Sequence, residues 1–242
     1  RYMVTYFISS SANGLYTAAS KIPNFVILFS QIFIDAWQLS AVDEYDQEGG
    51  RQFFTKVFRV YSGGIFAVAS VLILLCQFIT KILVAKSYYD SWQFVPILII
   101  ATTFSCIVNF LASIYMAEKK NVMSLVTAMS GAITNFVLNL VFIPRIGANG
   151  AALATVCAFL VVFVTRAIDT RRFIKIDFKL PVLLGETAVL VTQSILLLKY
   201  DGTLWVYIIE VLLVVVMLLL NLKPIKELVN LILAKFLKKR KN

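Results

Sequence analysis

Apolar residues along this chain come in long continuous runs. Residues 91 to 117 carry no charge between Asp90 and Glu118, and residues 121 to 144 carry none between Lys120 and Arg145. Each run exceeds the roughly 18 residues that mark a membrane-crossing helix. Membrane β-barrel strands alternate in polarity, so continuous runs exclude that class. The pattern recurs along the chain and predicts seven spans, at about 14–42, 57–80, 92–116, 121–143, 148–168, 181–198 and 203–222. The predicted fold class is all-α, a polytopic membrane helix bundle. After the last span, Pro224 opens a segment in which Ile225, Leu228, Val229, Ile232 and Phe236 repeat at three- and four-residue intervals among lysines. It reads as a basic amphipathic helix over 223–242 lying on an anionic leaflet, or else as a frayed tail that sets topology.

Composition supports this reading: 60% of the 242 residues are hydrophobic and 15% are charged, against about a quarter charged in a soluble domain. The net charge of +10 could suggest nucleic acid, but the cations sit at the ends of apolar runs and in the tail, so no nucleic-acid partner is expected. Connections on one side of the predicted bundle, with the tail, collect 17 Lys and Arg, and those on the other side collect 4. This asymmetry places the C-terminus in the cytoplasm. The first apolar run, Tyr2 to Ile8, is too short to cross a bilayer, and the chain begins with Arg1 rather than Met. The sequence reads as the C-terminal part of a longer protein.

Polar residues inside the spans narrow the function. Thr17, Lys21, Asn24, Gln31, Asp35 and Gln38 follow one another at three- and four-residue spacing, interrupted only by Leu28, and such a stripe belongs on a bundle interior or a water-filled cavity. A cation at a span centre costs about 2.5 to 3.5 kcal/mol and less near the edge, so Lys21 needs an acidic partner, an anionic ligand or a path to the interface. Pro23 removes a backbone donor and predicts a kink. Asp35, together with Glu186 and Glu210 in the last two spans, could couple transport to protons or sodium. Interfacial hydration of Asp35 and protonated or headgroup-facing carboxyls at the other two are the alternatives. The rows Gly63, Ala67, Ser70 and Gln77, Thr102, Ser105, Asn109 and Ser113, Ser124, Ala128, Gly131, Asn135 and Asn139, and Gly147, Ala151 and Thr155 with Gly150, Ala154 and Ala158 read mainly as helix packing.

With no histidine, Ser-His-Asp and Cys-His catalysis is excluded, and no GxxxxGK[ST] loop is present to bind ATP. Cys76, Cys106 and Cys157 lie inside apolar runs and read as core residues. No cofactor, no metal and no enzymatic activity are expected. A multi-helix body with polar stripes and short loops describes a secondary transporter or flippase.

Residues 14–23, GLYTAASKIP, with AWQLSAV at 36–42, and residues 115–152, YMAEKKNVMSLVTAMSGAITNFVLNLVFIPRIGANGAA, resemble the oligosaccharide flippases of the polysaccharide biosynthesis family, within the multidrug/oligosaccharidyl-lipid/polysaccharide exporter superfamily. The quoted stretches make up about a quarter of the chain. The resemblance implies a 14-span protein with two inverted lobes. Residues 1–168 would be the end of span 7 through span 12, 169–222 spans 13 and 14, and 223–242 a cytoplasmic tail. It implies a bacterial cytoplasmic membrane protein that moves an undecaprenyl-diphosphate-linked oligosaccharide to the outer leaflet by alternating access, for capsule, O-antigen or exopolysaccharide. Lys21 and Arg1 would meet the diphosphate, Asn24 and Gln31 would meet the diphosphate or the sugars, and spans 13 and 14 would help form a groove for the polyprenyl tail. Besides the lipid-linked substrate, membrane lipids and a polysaccharide polymerase complex are the expected partners. The alternatives are a cation-coupled drug exporter of the same superfamily and a non-transporting scaffold of a polysaccharide-synthesis complex.

Overall fold

The structure, a computed structural model, describes residues 2–45, 50–200, 203–222 and 226. Among them there is no strand. Ten α-helices follow one another: α1 (Tyr2–Phe7), α2 (Ser10–Ala19), α3 (Asn24–Tyr45), α4 (Gly50–Leu74), α5 (Cys76–Leu83), α6 (Val95–Ala117), α7 (Asn121–Ile146), α8 (Ala148–Asp169), α9 (Leu180–Lys199) and α10 (Leu204–Leu220). A 3-10 segment, Lys86–Phe94, leads into α6. The chain is an all-α helical membrane protein. Among the described residues five helices are long and apolar enough to cross a bilayer, and α2 with α3, bent by 45°, make a sixth if counted as one span. Seven spans were expected. The difference is the last one, since α10 is a 17-residue helix and shorter than the others. The second expected span is divided at Leu75 into α4 and α5. Arg1 and nearly all of the tail lie outside the described residues.

Helix α6 is the axis of the bundle. It is buried on almost every side, from Val95 and Pro96 in its first turn to Tyr115 in its last. Its faces receive α3, α4, α8 and α9. An aromatic cluster fills the junction with α4. Tyr61 stacks on Phe110 at 5.2 Å and lies 4.8 Å from Phe33, and Phe58 meets Phe110 and Phe178 edge-on. The Tyr61 hydroxyl bonds Ser30 Oγ at 2.6 Å and donates to the Cys106 carbonyl at 3.0 Å, so its polar tip is satisfied between α3, α4 and α6.

Helices α7 and α8 form a tight hairpin about Gly147, whose φ of 65° is a conformation that glycine adopts without strain. The small-residue rows hold it together, as the sequence suggested. A β-carbon on Gly131 would overlap Val162, and one on Gly150 would lie 2.5 Å from the Phe142 carbonyl oxygen. Only hydrogen fits at these two contacts. The three cysteines form no disulfide: Cys76 and Cys106 are buried and Cys157 half-buried.

The loop before α9 is tied to the first half of α4. Arg59 Nη2 donates to Asp177 Oδ2 at 2.7 Å, and Lys179 lies 3.7 Å from the same oxygen. The backbone N–H of Lys179, with the Lys179 and Arg59 charges, holds the Asp177 carboxyl below the usual carboxylate range. A lowered pKa means that this stabilisation is present above the carboxyl's unfolded-state value and is lost as pH falls through the folded one. Because the groups are largely exposed, Asp177→Asn should cost well under 1 kcal/mol near neutral pH, and the difference should vanish in acid. Unfolding of both forms across pH 2 to 7 checks this.

Candidate functional site

The chain breaks between α2 and α3 at residues 20–23, where Pro23 was expected to kink it. Lys21 N donates to the Ala18 carbonyl and Ile22 N to that of Ala19, which tightens the last turn of α2. Phe25 N then turns to the Ile22 carbonyl, and both Val26 N and Ile27 N reach Pro23. Neither the Ser20 nor the Lys21 carbonyl receives a backbone N–H. Lys21 sits at this break and is exposed on a hollow of about 490 Å³. Asn13, Thr17 and Ser10 of α2 line one wall, and Leu83, Val84 and Tyr88 line the other. No carboxylate of a described residue pairs with Lys21. The Asn13 amide oxygen is buried and has no partner among the described residues.

The polar stripe departs from expectation. Ile22 at the break and Val26, Ser30 and Ile34 of α3 form a buried ridge, while Thr17, Lys21, Asn24, Gln31 and Asp35 are all exposed. At 100° per residue the two sets lie on opposite faces. The stripe is thus on the outer surface of the described bundle and not in its interior, because α3 has only one narrow face against α4 and α6. The bend also divides it: Thr17 and Lys21 share the hollow, whereas Asn24, Gln31 and Asp35 continue along α3. Gln31 Nε2 donates to Asp35 Oδ1 at 2.6 Å, so those two partly satisfy each other.

The carboxyls of the last two long helices occupy separate sites. Glu210 is fully buried and accepts from Gln193 Nε2 at 2.8 Å, and Ser70 Oγ donates to Gln193 Oε1 at 2.8 Å. A chain of polar contacts therefore crosses α4, α9 and α10. Glu210 Oε1 is buried with no partner among the described residues. Glu186 faces Asn221 in a second hollow of about 280 Å³, near Arg59, Ser62 and Lys179. Gly63 is where α4 clears Asn221, since a β-carbon there would overlap that side chain. Replacing Gln193 with Leu leaves both Ser70 and Glu210 without their shared partner, at a cost of about 2 kcal/mol. Thermal unfolding of Gln193→Leu in detergent measures it, and Gln193→Glu should recover little because it sets two carboxyls side by side.

Sequence reasoning missed Arg166. It was counted with the loop cations that set topology, yet it is 4% exposed within α8. Its Nε donates to Thr127 Oγ1 at 3.0 Å, Nη1 to the Val108 carbonyl at 2.7 Å, and Nη2 to the Ser124 carbonyl at 3.1 Å and Ser124 Oγ at 3.3 Å. The available signal was its position ahead of Thr170, Arg171 and Arg172, still inside the apolar run. Asp169, one turn on, is engaged elsewhere, by Tyr115 and Arg172.

These features define a helical membrane protein with a cationic break between α2 and α3 and buried carboxyls in α9 and α10. Compared with protein-family models, characterised sequences and solved structures, the chain has no match.

Proposed function

We propose that this chain is the C-terminal part of a 14-span flippase with two inverted lobes, in a bacterial cytoplasmic membrane and with a cytoplasmic C-terminus. It would carry an undecaprenyl-diphosphate-linked oligosaccharide to the outer leaflet by alternating access. The observation that carries the reading is Lys21. It lies at a helix break on an open hollow with amide and hydroxyl groups around it, and no carboxylate of a described residue neutralises it. A diphosphate crossing the membrane needs such a cation on the wall, and a charge-assisted hydrogen bond from an ammonium is about twice as strong as a neutral one. Asn13 and Thr17 supply groups that hydrogen-bond hydroxyls. In the full protein the exposed stripe Asn24, Gln31 and Asp35 would face the opposite lobe across the cavity. The resemblance noted in residues 14–23 and 115–152 supports the same substrate class.

Glu186 and Glu210 would then couple the cycle to protons or sodium. The second reading, a cation-coupled drug exporter of the same superfamily, is favoured by one observation, the Glu186 carboxyl lining a hollow with Asn221. Transport by the full-length protein in proteoliposomes separates the two. Movement of a fluorescent undecaprenyl-diphosphate oligosaccharide is the expected result. Cation-driven efflux of small organic cations without glycan movement would overturn it.

A further inference from the structure

A cavity of about 350 Å³ lies between α6, α7 and α8, away from the Lys21 break. Arg166 lies at one end of it, Asn109, Asn135 and Thr155 line it, and Ala128 and Phe159 are among its apolar walls. Two facts about Arg166 point to a ligand. Its hydrogen-bond partners are all neutral, a threonine hydroxyl, two backbone carbonyls and a serine hydroxyl, and its guanidinium also lies 5.9 Å from the centre of the Tyr115 ring. They replace hydration but leave a full positive charge among apolar helices, and no carboxylate of a described residue pairs with it. Such a charge is costly unless an anion offsets it. In addition, a guanidinium has five N–H donors. Nη1 carries two of them and spends one on the Val108 carbonyl.

The remaining lining suits an anion as well. Asn109 is exposed on α6, where most neighbouring positions are buried, and it borders this cavity. Asn135 is held by donating to Thr155 Oγ1 at 3.3 Å and accepting from Asn139 Nδ2 at 2.9 Å. No acidic side chain is among the lining residues. We infer that this cavity is an anion site in which Arg166, with Asn109, takes a carboxylate or phosphate group. The inference does not depend on the flippase reading. The group can come from a free small anion or from the headgroup of an acidic lipid.

The test uses the full-length protein in nanodiscs of phosphatidylcholine, titrated with inorganic phosphate in one arm and phosphatidylglycerol in the other. Binding is read by native mass spectrometry and by the shift in unfolding temperature. Wild type should bind one anion per chain. Ala128→Leu fills the cavity while leaving every Arg166 hydrogen bond in place, and it should weaken binding about tenfold or more, as should Arg166→Gln where it folds. Lys21→Ala should leave this binding unchanged. Binding of phosphate assigns the site to free anions, and binding of phosphatidylglycerol alone assigns it to a lipid headgroup. Binding by neither, or equal binding by wild type and Ala128→Leu, overturns the inference.

Discussion

Lys21→Ala should slow glycolipid transport by roughly 30- to 150-fold, the rate equivalent of about 2 to 3 kcal/mol for one lost hydrogen bond to a charged group. Lys21→Arg, which keeps the charge, should retain most of the rate, and Lys199→Ala, at the far end of α9, should retain all of it. The stability prediction runs the other way. Lys21 pairs with no carboxylate of a described residue, so removing it breaks no ion pair and should leave the unfolding temperature unchanged or raise it. A Lys21 that merely reaches the interface gives a different pair of results: normal transport with little change in stability. Measuring rate and unfolding on the same preparations therefore decides between a ligand-facing and a structural lysine.

Gly150→Ala should destabilise the protein by about 2 kcal/mol, within the range for overpacked interiors. The added methyl would meet the Phe142 carbonyl oxygen at 2.5 Å, its carbon at 2.6 Å and Ile143 N at 3.0 Å. These are backbone atoms of α7, so relief requires moving the two helices apart and not merely turning a side chain. The gain in helix propensity, at most about 1 kcal/mol, is too small to offset this. Gly185→Ala is the control: its nearest neighbour is a Leu220 methyl at 3.8 Å, an ordinary contact. That variant should be neutral or slightly more stable. Unfolding of both variants in the same detergent checks the contrast, and equal midpoints would refute the backbone-contact argument.

The parts of this fold that depend on local pattern were legible in the sequence. The charge-free run after Asp90 became α6, the run after Lys120 became α7, and Pro23 marked a real break. The glycine and alanine rows of α7 and α8 became the closest helix contact. The parts that depend on distant residues were not legible. Ser70, Gln193 and Glu210 are brought together from three helices, the first two 123 positions apart, and no spacing rule links them. The stripe of α3 was visible as a stripe, but periodicity fixes only relative angles and could not say which face would meet α4 and α6. Counting cations near span ends treats each as interfacial, and so Arg166 was misplaced: a guanidinium reaching the Val108 carbonyl, 58 residues away, leaves no trace in charge counts. The cation assigned to the glycan from sequence, Lys21, does line a hollow, whereas Arg1 lies outside the described residues.

The break at residues 20–23 also constrains the medium around it. Two peptide carbonyls there, those of Ser20 and Lys21, receive no backbone N–H, and unsatisfied peptide groups do not persist against hydrocarbon. Peptide groups at membrane depth persist only where water or protein satisfies them, so the break is expected to face a wetted crevice and not lipid. A wetted crevice weakens each single electrostatic contact, which in the proposed flippase would favour loading and release over tight retention.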